Sequence, residues 1–237
     1  MREDRETRER LLKAAEAMFA DRGFKRVTVR EICRAARANV AAVNYYFGDK
    51  LGLYRNVLQA ATESMRNLTE EARAAGAGQP PDEKLRRYLR IFLHRLLAPD
   101  HEAMYRLVQR EMQDPTPVLD EVVEHGVRPR LLYLSEIVAD IIGCDVSDPR
   151  VLPCAASIQA QAVSYVPNPI VQRLGLRFDP TPANIDAVAR HIARFSLAGV
   201  RAVGCDARLR ALRAPARQAP NMAMRVAKRP RRASKGR

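Results

Sequence analysis

Asn44, Tyr45, Tyr46 and Lys50 place a carboxamide, two phenols and an amine in the short stretch VAAVNYYFGDK, residues 40–50. These groups suit a polyanion with readable edges better than they suit catalysis. An asparagine carboxamide pairs with adenine N6 and N7, and small residues such as Ala41 and Ala42 let a helix approach thymine methyls. Tyrosine hydroxyls donate to phosphates, which set register rather than sequence. Lys50 and the N–H groups around it can hold a phosphate. Arg30, shortly upstream, can reach a guanine. Enzyme signatures are missing from the sequence: it has no G-x-G-x-x-G, G-x-S-x-G or H-E-x-x-H and no clustered acid/base pair. No enzyme and no cofactor is therefore expected. His94, His101, His125 and His191 share no metal spacing, and Cys33, Cys144, Cys154 and Cys205 are scattered. Reduced thiols are the expectation, rather than a zinc site or a disulfide framework.

Charge is distributed in keeping with a nucleic-acid partner. Residues 1–50 hold 12 Lys/Arg against 8 Asp/Glu, the span 51–205 holds 18 of each, and 206–237 holds 11 basic residues against 1 acidic. Basicity is thus confined to the two ends, around a neutral middle. The opening MREDRETRER has no apolar stretch of a signal peptide. No run approaches the roughly 20 apolar residues of a membrane span. A soluble, cytoplasmic protein with no membrane partner is expected, nucleoid-associated when bound to DNA.

The elements that would position these groups are legible as helices. Leu11, Leu12, Ala15, Met18 and Phe19 form one helical face over 7–22, with Gly23 placed to end it. Thr28 and Glu31 form a T-x-x-E capping box for a helix of 29–36. Asn39 is a good N-cap for the next helix, Val40 to Phe47. Two short helices joined by about three residues and braced by an earlier one make a helix-turn-helix. On the second helix Val43 and Phe47 point to the core, leaving Val40, Ala41, Ala42, Asn44, Tyr45 and Tyr46 outside or on the flank. The candidate DNA contacts are Thr28, Arg30, Asn39, Val40, Ala41, Ala42, Asn44, Tyr45, Tyr46 and Lys50.

Beyond Gly48, Asp49 caps a long helix to about residue 74, and further helices cover 82–97, 101–113, 118–143, 149–166 and 183–204. Pro129 predicts a kink or break near Val127. After Cys205 the apolar periodicity ends and the composition is that of a disordered basic tail. The fold class is all-α with about nine helices: an N-terminal three-helix bundle, 1–48, a larger helical domain, 49–205, and the tail, 206–237. The tail offers an alternative function, sequence-nonspecific nucleic-acid coating. It also carries a prediction: truncation at Asp206 should flatten the dependence of log affinity on log salt while sequence preference is kept, because fewer counterions are released.

The segment TVREICRAARANVAAVNYYFGDKLGLY closely resembles the DNA-binding segment of TetR-type bacterial repressors. Thr28, Ile32, Ala36, Phe47, Lys50 and Leu53 fall at matching places. The N-V-A-A-V-N-Y-Y-F-G wording, residues 106–129 and FSLAG at 195–199 are similar to the CecR-like branch, so that the likeness covers most of residues 7–205. Two departures stand out. Arg37 and Ala38 replace a Gly-Val pair at the turn; a left-handed arginine costs about 1 kcal/mol, which argues for a reshaped turn. Asn44 stands where the family often has tyrosine.

The resemblance implies a ligand-responsive transcriptional regulator, with repression as the expected action. It would act as a homodimer on a palindromic double-stranded DNA operator and be released by a small, mostly apolar effector. The dimer would be built from the last two helices, with Val151, Ala155, Ile158 and Ala162 on one and Ile185, Val188, Ile192, Phe195 and Gly199 on the other. By the same resemblance Met104, Tyr105, Val108, Met112, Tyr133, Ile137, Gln159 and Gln161 enclose the effector pocket.

Overall fold

The computed structural model describes residues 2–98, 102–166, 173–175 and 178–213, with backbone alone for Arg2 and 206–213. Among them the elements are α1 (Arg2–Arg26), α2 (Val29–Ala36), α3 (Val40–Phe47), α4 (Lys50–Gly76), α5 (Pro81–Leu96), α6 (Glu102–Gln113), α7 (Leu119–Val122), a π-helical turn (Val123–Val127), α8 (Arg128–Ile142), α9 (Val151–Val163) and α10 (Pro182–Arg213). No strand occurs among the described residues, and no helix there is long and apolar enough to cross a membrane.

Local chemistry sets most of the boundaries. Thr28 is the N-cap of α2: its hydroxyl accepts from Glu31 N, and the Glu31 carboxylate accepts from Thr28 N at 2.8 Å. Hydrogen bonds from Thr28 and Arg22 hold the Glu31 carboxyl down from 4.5 to about 2. Asn39 accepts from Ala41 N at 2.9 Å to start α3, and Asp49 accepts from Gly52 N to start α4. α1 begins five residues earlier than the apolar face suggests, with Glu3 and Asp4 in its first turn where the helix dipole favours anions. Gly23 leaves helical geometry at φ 77°, so α1 bends there and Phe24 folds back to 6.0 Å from Phe19.

Two findings modify the sequence expectations. Pro129, lacking an N–H, interrupts the helical ladder without ending the helix: the chain takes up the fault as a π-turn and continues into α8. Gly126 within this turn lies so close to α4 that an added Cβ would meet Met65 Sδ at 3.0 Å. The last helix also runs nine residues beyond the expected 204, through residues 206–213, which are rich in the strong helix formers Ala, Arg and Leu. The tail therefore does not begin at Asp206; residues 214–237 lie outside the described residues. Truncation after Arg213 is the cleaner test of the salt slope, because it spares α10.

There are two apolar cores. The first joins Leu11, Phe19, Ile32, Val43 and Phe47 of the N-terminal helices to Leu53, Tyr54 and Leu58 of α4 and Leu107 of α6. The second packs the far half of α4 against α5, α8, α9 and α10 through residues such as Leu68, Leu89, Leu134, Ile158 and Ile192. α4, 27 residues and about 40 Å long, belongs to both.

Tyr88 is stacked on Phe92 in the second core, and its buried hydroxyl has no partner. Burial pushes the phenol up to about 12. An orphaned buried hydroxyl destabilises, so Tyr88→Phe should raise stability by about 1 kcal/mol, or ~2–4 °C in a thermal melt.

Candidate nucleic-acid interface and effector cavity

α1, α2 and α3 present one end of the molecule. Val43 is fully buried and Phe47 nearly so, which fixes the roll of α3. Ala41 and Asn44 are then exposed, Val40 is 41% exposed and Tyr45 79% exposed. Ala42 and Tyr46 lie half-buried on the flank, and Arg30 projects from α2. A phenol this bare, beside two small residues, lies outside the core.

Four of the sequence-chosen residues are already engaged. Thr28 and Asn39 spend their side chains on starting helices. Tyr46 donates to Asp4 Oδ1 at 2.9 Å, tying α3 to the start of α1, and burial together with the Asp4 carboxylate pushes its phenol up. Lys50 Nζ sits 4.3 Å above the Phe24 ring, and desolvation lowers its basicity. Val40, Ala41, Asn44, Tyr45 and Arg30 are the groups left facing outward.

The turn is not reshaped. Arg37 adopts the left-handed conformation a glycine would take, at φ 51° and ψ 48°, while Ala38 N donates to Cys33 O at 2.9 Å to close α2. Arg37→Gly should therefore stabilise the protein by about 1 kcal/mol, seen as a higher denaturant midpoint at unchanged slope.

A second site lies between the far end of α4, α5, α6, α8 and α9. It is a cavity of about 340 Å³, lined mainly by Met65, Leu68, Leu96, Met104, Val108 and Val163, with Tyr105, Met112, Gln159, Arg95, Gln109 and Arg130 among its polar or mouth residues. Five of the eight candidates from the sequence therefore come together here: Met104, Tyr105, Val108, Met112 and Gln159. Tyr133, Ile137 and Gln161 do not. Tyr133 and Ile137 are buried in the second core, Tyr133 donating to Ala72 O at 3.1 Å. Gln161 turns towards α10 and donates to Ser196 Oγ at 3.3 Å.

Sequence reasoning missed Arg130. It lies three, four and seven residues before Tyr133, Leu134 and Ile137, so a cation occupies a place on the apolar stripe of α8. That misplacement is the available signal. Arg110 was also missed. Its guanidinium donates to Ala20 O at 2.7 Å and to Asp21 O, joining α6 to the end of α1. Glu111, fully buried, accepts from Tyr54 Oη at 2.7 Å and from Thr116 N at 2.8 Å. Burial, and then the Glu111 carboxylate, push the Tyr54 phenol up.

The expected dimer stripe requires correction. Val151, Ala155, Ile158, Ala162, Ile185 and Ile192 are buried within the chain's own second core, and Val188 is partly so. Phe195, 64% exposed, and the open Gly199 are the stripe members left outside; Leu152 of α9 and Val203 of α10 are also exposed.

This architecture is a helix-turn-helix head on a helical body with a cavity between its helices. The family profile of bacterial regulatory proteins, tetR family, matches residues 11–57, and that of the C-terminal domain of the HTH-type transcriptional dual regulator CecR matches residues 81–200. The CecR regulator of Shigella flexneri is 31% identical over 156 residues, which cover 62% of this chain and 70% of that protein. A probable acrEF/envCD operon repressor of Escherichia coli (strain K12) is 28% identical over 122 residues, 51% of this chain and 53% of that one. The crystal structure of a TetR-family transcriptional regulator from Streptomyces coelicolor superposes with TM-score 0.60 at 21% identity, covering 83% of this chain and 96% of the other. The chain belongs to the TetR family of bacterial transcription regulators, with a C-terminal domain of the CecR type.

Proposed function

We propose that this regulator is a ligand-released repressor that binds a palindromic operator as a homodimer, through α3 in the major groove. The observation that carries the ligand response is the double engagement of α6. One face of this helix, Met104, Tyr105, Val108 and Met112, borders the cavity. The other face holds the DNA-reading head through Leu107, Arg110 and Glu111. An effector that displaces the cavity face must move helix and head together, because packed interiors shift between discrete arrangements rather than deforming smoothly. The resulting head spacing no longer matches the groove, and operator affinity falls by population shift. The exposed face of α10 around Phe195 supports the twofold contact that sets two α3 helices one DNA turn apart.

A gel-shift competition tests the specific reading against tail-driven coating. The fragment flanking the regulator's own gene should stay bound under a hundredfold excess of random DNA, whereas equal competition would favour coating by the basic residues of 206–237.

A further inference from the structure

We infer that the effector is an amphipathic monoanion whose charged head is received by Arg130 and whose N–H or O–H group meets Gln159. This rests on the ligand-release proposal above and gives the cavity a chemistry.

The cavity wall carries two cations, Arg95 and Arg130, and no carboxylate. Arg95 is paired with Glu71 at 3.3 Å. Arg130 has no carboxylate partner among the described residues, and its Nε is buried without a hydrogen bond. Its guanidinium lies over the Phe92 ring at 4.9 Å, but a ring face satisfies the plane of the guanidinium and leaves the N–H edge unmet. A desolvated donor on a cation is expensive to leave unpaired. An anion seated against that edge removes the penalty, which a purely hydrocarbon ligand cannot do.

Two neighbours define the rest of the head group. Tyr105 Oη accepts from Gln109 Nε2 at 2.8 Å, which leaves the phenol hydrogen free to donate to the same anion. Burial pushes this phenol's ionisation up, so it stays a donor. Gln159 Oε1 is a buried acceptor without a partner, and it calls for a donor on the ligand. The remaining wall, Met65, Leu68, Leu96, Met104, Val108 and Val163, accepts only an apolar body. One unpaired cation in a mainly apolar cavity of about 340 Å³ matches a single charge and excludes phosphorylated or multiply charged molecules.

Two fluorescent dyes that share a ring system and an N–H but differ in charge test this on the full chain. They are 8-anilinonaphthalene-1-sulfonate, an anion, and N-phenyl-1-naphthylamine, which is neutral. Arg130→Met should weaken the sulfonate about tenfold while leaving the neutral dye within twofold, the neutral dye thereby reporting an intact cavity. Arg130→Lys should restore most of the sulfonate affinity. Arg95→Met should change neither dye by more than twofold, and Gln159→Leu should weaken both about threefold. Equal losses of both dyes in Arg130→Met, or no binding of the sulfonate to the unaltered protein, would overturn the inference. A parallel operator gel shift separates the two levels. Operator binding with dyes that ignore Arg130 defeats the effector chemistry alone, and charge-selective dyes with no operator binding defeat the regulatory proposal alone.

Discussion

Ala41→Glu should abolish operator binding, by a hundredfold or more in a gel shift, while the thermal midpoint stays within 2–3 °C of the parent. Ala41 is exposed near the start of α3, so a glutamate there meets no neighbour that the fold needs. In the DNA complex the same carboxylate would stand against base-edge acceptors and phosphates, with no cation on α3 to meet it. Like charge in a closed contact is a strong discriminator, and the substitution occurs twice in a twofold complex. Asn44→Ala makes a graded companion. It should cost about 1–3 kcal/mol on one operator base pair and little on random DNA. If Ala41→Glu bound the operator normally, α3 would not be the reading helix.

Phe195→Glu should halve the solution mass measured by sedimentation and lower operator affinity about a hundredfold, again without unfolding the chain. The Phe195 ring is 64% exposed and stacks on His191 at 6.4 Å between centroids. One turn along, nothing lies within 4 Å of where a Gly199 Cβ would sit, and Ala198 and Ala202 are exposed beside it. A bare phenyl next to a run of small residues lets a second helix approach closely, and a twofold contact places the same change on both sides. Because Phe195 touches little of its own chain, the loss would report association rather than folding. An unchanged mass would move the subunit contact elsewhere.

Features set by neighbours in the chain were readable in advance. Thr28 with Glu31, Asn39 and Asp49 each satisfy N–H groups within three residues, and each appears where expected. The roll of α3 followed from Val43 and Phe47 lying four residues apart. Partner choice was less legible. The period of Val151, Ala155, Ile158 and Ala162 shows that α9 has an apolar face, but it does not say whether that face meets its own chain or a second copy; it meets its own. Phe195 and Gly199, at the edge of the corresponding stripe of α10, were left for the outside. The same limit applies to the cavity: Tyr133 and Ile137 share a face of α8 with Arg130, yet only Arg130 reaches the wall. Arg37 shows the converse. Its left-handed geometry carries a strain penalty that local reasoning counts against the turn, but the hydrogen bond from Ala38 to Cys33 and the packing of α2 against α3 hold it in place.

The most direct test is a hydroxyl-radical footprint of the full-length protein on the DNA flanking its gene. Two protected patches related by a dyad, with centres one helical turn or about 34–36 Å apart, both lost together in Ala41→Glu, are the predicted result. Protection that is uniform along the duplex, or that survives Ala41→Glu, would contradict the account.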